Sequence, residues 1–162
     1  MKILLVGATS AIGQGVASNL RSNGEVRLAG RRGADFQFDL CQWERHPEID
    51  EVFDVVIHVA ADFGGDTNDD FVRAEVVNAA GTLSVCRLAQ HVQAKHLVLM
   101  SSISAAYSPG DSFYGIYALS KRHSEEVAEF FCAERGLPLT ILRPSQVYDA
   151  AGECRRHQAL LY

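Results

Sequence analysis

The sequence predicts an α/β fold, a three-layer doubly wound parallel sheet, and three observations carry that expectation. Short β-branched apolar runs alternate with longer amphipathic stretches along the whole chain. The runs ILLVG, DVVIHVA and HLVLMSS are nearly continuous in apolar character, as strands covered on both faces must be. A run bounded by glycines, Gly7 to Gly13, joins the first apolar run to the first amphipathic one.

Taken in order, Lys2–Gly7 reads as the first strand and Ala11–Ser22 as the first helix. Glu25–Ala29 and Asp35–Phe38 are short β-branched or aromatic runs and read as the second and third strands. Phe53–Ala60 is the fourth strand, and Asp69–His91 carries three-to-four spacing over the length of one long helix. His96–Ser101 is the fifth strand, Tyr114–Arg135 the last helix and Leu139–Arg143 the sixth strand. In that last helix Val127, Phe130 and Phe131 mark the expected buried stripe, with Glu125, Glu126 and Glu129 facing away. Gly136-Leu137-Pro138 stops it, glycine at the cap and proline just after. Gly152–Tyr162 reads as the start of a further helix, expected to be loosely held.

The chain has 162 residues, room for one domain, with 48% hydrophobic and 22% charged residues, the balance of a globular protein. A net charge of -5 argues against a nucleic-acid or anionic-membrane surface, so a polyphosphate ligand must be held locally by backbone donors and a few bases. Cys41, Cys86, Cys132 and Cys154 lie far apart without a CxxC pair, and the six histidines show no ligand spacing; reduced thiols and no metal are expected. Met1 leads directly into a strand and no run is long enough to span a bilayer, so a cytoplasmic protein is expected.

The run Gly7-Ala8-Thr9-Ser10-Ala11-Ile12-Gly13 lies where a sheet of this kind binds ligands, after a strand and at the opening of a helix. Gly7 allows the tight turn, Gly13 lets helix pack on strand, and the free N–H groups at the helix start suit a pyrophosphate. An ordinary strand–helix turn is the alternative. Ser10 stands where a third glycine is usual, so its hydroxyl is expected to take part in the close approach there. The second strand runs into Gly30-Arg31-Arg32 rather than an acidic residue. Guanidinium forks suit a 2′-phosphate, which favours NADP over NAD; a solvated basic turn is the rival explanation.

From here the motifs accumulate in a recognisable order: Phe38-Asp39-Leu40, His58-Val59-Ala60-Ala61, Asn78-Ala79-Ala80-Gly81-Thr82, Ser101-Ser102, Tyr117-Ala118-Leu119-Ser120-Lys121 and Leu142-Arg143-Pro144-Ser145-Gln146-Val147-Tyr148. Together with the glycine loop they resemble the extended short-chain dehydrogenase/reductases, the NAD-dependent epimerase/dehydratase family that mostly acts on nucleotide sugars. The resemblance covers nearly the whole chain and implies a Rossmann fold. It also implies that the C-terminal, substrate-binding part lies beyond Tyr162, leaving residues 1–162 as the NAD(P)-binding domain.

The resemblance implies that Asp39 and Leu40 contact the adenine, that Val59, Ala60 and Ala61 lie under the ribose–pyrophosphate stretch, and that Lys121 holds the nicotinamide ribose. It adds Thr9, Asn78 and Pro144 to the cofactor site, and a homodimer built on the helices Asp69–His91 and Tyr114–Arg135.

Tyr117 and Lys121 stand four apart on one helix face. A tyrosine is a poor base at neutral pH, but a neighbouring ammonium favours the phenolate and brings it within range. Tyr117 is then the general acid/base of hydride transfer at a hydroxyl or carbonyl carbon, although such a pair on a helix is by itself usually structural. Aligning the fifth strand on the family pattern makes Ser102 the residue that bonds the substrate oxygen; counting back from Tyr107 lands on Ile103, and Ser104 is the fallback. Ile103-Ser104 occupy the place of the Asp-Glu pair that sugar dehydratases carry, which disfavours dehydration. Epimerisation or carbonyl reduction remains, with a non-catalytic NADP-binding or redox-sensing protein, or a structural partner subunit, as rival readings.

Overall fold

In the computed structural model, residues 1–147 are described. The strands are β1 (Lys2–Val6), β2 (Glu25–Gly30), β3 (Phe36–Gln37), β4 (Val55–His58), β5 (His96–Met100) and β6 (Leu139–Leu142). The helices are α1 (Ala11–Leu20), α2 (Asn68–Glu75), α3 (Gly81–His91) and α4 (Ile116–Arg135). All six strands pair in parallel in the order β3-β2-β1-β4-β5-β6. The chain winds outward from β1 in one direction and then returns to continue in the other. A crevice therefore opens beyond the carboxyl ends of β1 and β4, where the winding reverses.

Register sets what lines that crevice. Val6 stands opposite Ala29 on one side and His58 on the other, so Gly7, Gly30 and Val59 emerge level at one edge of the sheet. His58 is in turn level with Leu99, and Met100 with Leu142, which brings Ser101 and Arg143 to the same edge.

Alternation along the strands builds two cores. Leu4, Val6, Phe53, Val56, Leu97 and Leu99 pack with Val85, Leu88 and Ala128 of α3 and α4 on one face. Leu5 and Val59 pack with Ala17 of α1 on the other. These are the three layers that the continuous apolar runs imply.

The predicted elements are present, with three differences. The third strand shrinks to Phe36–Gln37 because the Asp35 carboxylate accepts the Leu28 N–H at 2.7 Å, taking a donor that a longer β2–β3 ladder would use. The single helix expected over Asp69–His91 is interrupted: Val76–Ala80 form a π-turn in which the Gly81 N–H reaches back to the Val76 carbonyl. The buried stripe of α4 is only partly the expected one: Phe131 packs on the core and Glu126 and Glu129 are exposed, but Glu125 is buried. Ala118, Lys121, Ser124, Glu125, Ala128 and Cys132 face inward, whereas Phe130 is 72% exposed. That helix turns toward the sheet the face carrying its chemistry, and the charges on it are paired inside. Its end is as expected, with Gly136 left-handed at φ 63° and the Leu137 N–H bonded to the Cys132 carbonyl at 3.0 Å. The helix expected over Gly152–Tyr162 lies outside the described residues. Among those described, no helix is long and apolar enough to cross a membrane.

Candidate active site

The crevice begins at the glycine loop. Gly7 has φ +95°, and a Cβ there would fall 2.5 Å from the Ala60 nitrogen; one on Gly13 would fall 2.4 Å from the Gly7 carbonyl oxygen. Both glycines are therefore sterically required, the first to bring β1 against the end of β4, the second to seat α1 on the loop. Ser10 caps α1: its Oγ accepts the Gly13 N–H at 3.0 Å and donates to the Gly7 carbonyl at 3.1 Å. The hydroxyl expected to meet a phosphate is thus committed to the loop itself. The first-turn N–H groups of Ala11 and Ile12 remain as the anion donors that a helix start provides.

A cavity of about 280 Å³ runs from this loop across the sheet edge. Of the sequence-predicted residues, Gly7, Thr9, Ser10, Arg31, Asp39, Leu40, Ala60 and Ala61 line it. Arg32 does not; Arg31 alone of the two arginines turns to the groove, and it also borders a neighbouring hollow with Arg45 and His46. Asp39 caps the short turn Leu40–Gln42 by accepting the Cys41 N–H at 3.0 Å, and Leu40 is fixed beneath by Gly81, where a Cβ would come within 2.9 Å of the leucine Cβ. Val59 is buried in the core under the groove, and Gly13 and Asn78 are likewise buried rather than lining it.

Asn78 has a different task from the one expected. Its Oδ1 accepts the Asp62 N–H at 2.8 Å, and its Nδ2 donates to the Asp62 carbonyl at 2.7 Å and to Ser120 Oγ at 2.9 Å. With its amide spent on protein groups, it ties the loop after β4 to the π-turn and to α4. Beside it His58 is wholly buried, shares a 3.0 Å hydrogen bond with Thr82 Oγ1, and is pulled down to about 3 by burial and then by the Lys121 charge. It is a neutral core histidine.

The second half of the site lies past β5. Ser102 caps the turn Ile103–Ala106, accepting the Ser104 N–H at 3.1 Å, and its hydroxyl is the group that draws the Tyr117 phenol down. This favours Ser102 over Ser104 as the tyrosine's partner; Ser104 meets Ser102 instead, at 3.1 Å. The turn is held on α4 by Arg122, which donates to the carbonyls of Ala105 and Tyr107. Pro144 reaches the same place, its carbonyl accepting the Ile103 N–H at 3.1 Å.

Burial raises the Tyr117 phenol above its ordinary range, and the opposing pull comes from Ser102 rather than, as expected, from Lys121. Lys121 is 1% exposed and donates to the Met100 carbonyl at 2.7 Å. Burial pulls it down to about 8, against the attraction of Glu125 one helical turn on. Burial pushes Glu125 up in turn, but Arg143, bonded through Nε at 2.8 Å and also through Nη2, together with Ser101 and the Lys121 charge holds the carboxyl low.

Three contributors were not read from the sequence. Arg73 lines the groove with its guanidinium held by Asp62 at 2.8 Å and Asp70 at 2.7 Å. Asp62 itself joins the wall, and Phe63 stacks on the Tyr117 ring, centroids 5.1 Å apart and planes 27° from parallel. Asp62 and Phe63 lie in the loop that follows β4, a region the fold class marks for ligands. Arg73 gave no such signal, because its place depends on how α2 returns over the groove.

Several solved structures share this fold. A short-chain dehydrogenase/reductase superfamily protein from Agrobacterium tumefaciens with bound NAD is 23% identical, with a TM-score of 0.74 over 93% of this chain and 51% of that one. UDP-glucose 4-epimerase from Thermotoga maritima, with UDP-glucose, is 22% identical, with a TM-score of 0.74 over 95% of this chain and 60% of that one. A short-chain dehydrogenase/reductase from Burkholderia multivorans with bound NADP is 23% identical, with a TM-score of 0.70 over 89% and 78%. The chain thus spans between half and two thirds of the length of the first two. No curated protein sequence matches it. The profile of the NAD dependent epimerase/dehydratase family matches residues 3–159. A match running from inside β1 to beyond β6 leaves one conclusion: the chain belongs to the NAD-dependent epimerase/dehydratase family.

Proposed function

We propose that this chain is the cofactor-binding domain of an NAD(P)-dependent epimerase or reductase acting on a nucleotide-sugar-like substrate, with Tyr117 as general acid/base. The observation that carries the reading is that α4 sets Lys121 one turn beyond Tyr117 with its ammonium on the Met100 carbonyl at the end of β5, at the sheet edge that also holds the glycine-floored groove and beside the Ser102 turn. A dinucleotide fits the groove's chemistry: close-packed glycines, first-turn donors at α1, an apolar slot at Leu40 and a guanidinium from Arg31. Arg31, with glycine at the end of β2, supports NADP over NAD. When bound, the nicotinamide accepts or returns the hydride.

Tyr117 takes the substrate hydroxyl proton as the carbon-bound hydrogen departs, and gives it back in the reverse direction. Ser102 holds the same oxygen. Lys121, charged at neutral pH, stands one turn along the same helix, while the pull that works against burial of the phenol comes from Ser102. The exposed Phe71 and Val72 of α2 and Phe130 of α4, at 42%, 63% and 72%, support a homodimer through those helices.

The test compares NADPH and NADH titrations, followed by fluorescence, with turnover on a panel of UDP-sugars. Tyr117→Phe is expected to bind cofactor as before and lose turnover roughly a hundredfold or more. Undiminished turnover would remove Tyr117 from the chemistry, and absence of dinucleotide binding would remove the whole reading.

A further inference from the structure

The loop that follows β4 is pinned on both sides of a single aromatic residue. The Asp62 N–H donates to Asn78 Oδ1 at 2.8 Å and its carbonyl accepts from Asn78 Nδ2 at 2.7 Å, so the backbone before Phe63 is tied to the π-turn. The Asp62 carboxylate holds the other side: Oδ1 accepts the Gly64 N–H at 2.7 Å, and Oδ2 accepts Arg73 Nε at 2.8 Å. Gly64 is left-handed at φ +73°, and a Cβ there would fall 2.5 Å from Ile116 Cγ2. The loop therefore lies directly on the first turn of α4. These contacts leave Phe63 one place to stand.

That place is the face of Tyr117. The two rings lie 27° from parallel with centroids 5.1 Å apart, the geometry of an offset stack. Ile116, which meets Gly64, directly precedes Tyr117 in the helix, so loop and tyrosine are registered to each other through the backbone of α4. Phe63 itself is 52% exposed and belongs to neither buried core. An aromatic ring left that far in water adds little to the fold. What its placement does is cover the tyrosine.

We propose that Phe63 is a positioning residue for Tyr117, holding the phenol ring in one orientation beside the Ser102 turn and keeping water from one of its faces. The inference rests on the proposed function only for what it implies about turnover; the ring contact stands without it. Orientation matters because the proton passes between phenol and substrate oxygen over a hydrogen-bond distance of about 2.6–3.2 Å. A ring free to swing spends only part of its time within that reach. Screening matters because a phenolate loses more than a phenol when water is excluded, and burial is what raises the Tyr117 phenol. Phe63 supplies part of that cover and acts on the proton only through Tyr117.

The test follows Tyr117 directly, in the full chain isotopically labelled at the tyrosine ζ-carbon, whose NMR signal moves as a phenol ionises. The signal missing from Tyr117→Phe identifies it. Phe63→Ala is expected to lower the Tyr117 midpoint, because water then reaches the phenolate, while the signals of Tyr107 and Tyr114 behave as in the parent. Phe63→Leu, which keeps apolar bulk without a flat ring, should shift it in the same direction and guards against a folding defect of the alanine variant. Phe63→Trp restores an aromatic face and should bring the midpoint back towards the parent's. With a UDP-sugar that the parent turns over, kcat of Phe63→Ala should fall about tenfold or more at an unchanged Kd for NADPH. A parent without turnover counts against the catalytic reading alone, since the titration needs none. A Tyr117 midpoint that stays in place in both Phe63→Ala and Phe63→Leu would overturn the proposal. So would a shift shared equally by Tyr107 and Tyr114, the mark of a general loosening.

Discussion

At the scale of single residues, Lys121 is a costly side chain to bury and an informative one. It is 1% exposed, and its ammonium is supported by one carbonyl, that of Met100, and by the charge of Glu125 one turn away. Its folded value, about 8, lies below the ordinary 10.5. Between those two values the unfolded chain binds a proton that the native one has released, so this lysine makes stability rise with pH across that window. Lys121→Met keeps the buried stem and deletes the titration. Urea unfolding across the window is expected to give a shallower rise in the variant than in the parent; an equal slope in both would place the proton elsewhere. The glycine loop illustrates the opposite kind of residue, legible from spacing because sterics leave no choice at Gly7 and Gly13. Lys121 was legible only as a partner of Tyr117. That it is held by Met100 and balanced by Glu125 depends on contacts between α4, β5 and β6 that no local pattern encodes.

At the scale of elements, the central strands β1, β4 and β5 announced themselves through β-branched apolar runs, because a parallel sheet covered on both faces leaves few polar positions there. The helices were harder to orient. Periodicity places Phe130 and Glu125 of α4 on the wrong faces, since Glu125 is buried through its pairing with Arg143 and Lys121 through its bond to Met100, while Phe130 is exposed. Hydrophobic periodicity fails where a buried face carries paired charge. A different helix offers a cleaner test of propensity. Gly15 sits inside α1, is exposed, and has nothing within 4 Å of the place a Cβ would occupy. Gly15→Ala is expected to stabilise the fold by about 0.5–1 kcal/mol, read from the urea midpoint at unchanged slope. A loss of stability would mean that α1 is held by something other than its helical backbone.

At the scale of the whole molecule, the two cores share one sheet, so the described residues should unfold as one unit. Trp43, the one tryptophan in the chain, is 40% exposed and closes the short turn that carries Leu40 to the groove. Its emission and far-UV circular dichroism are expected to report coincident urea transitions. NADPH at about a hundred times its Kd should stabilise both by about 2.7 kcal/mol. Separate midpoints would divide the chain into independently folding parts. The π-turn at Val76–Ala80 bears on how such a molecule changes over generations. A helix advances by about 100° per residue, so a chain one residue shorter there would heal into an unbroken helix with α2 swung round its own axis. Arg73 would leave the groove wall while every strand kept its neighbours. A single-codon deletion at this point is a route by which a lineage retires the site and keeps the scaffold.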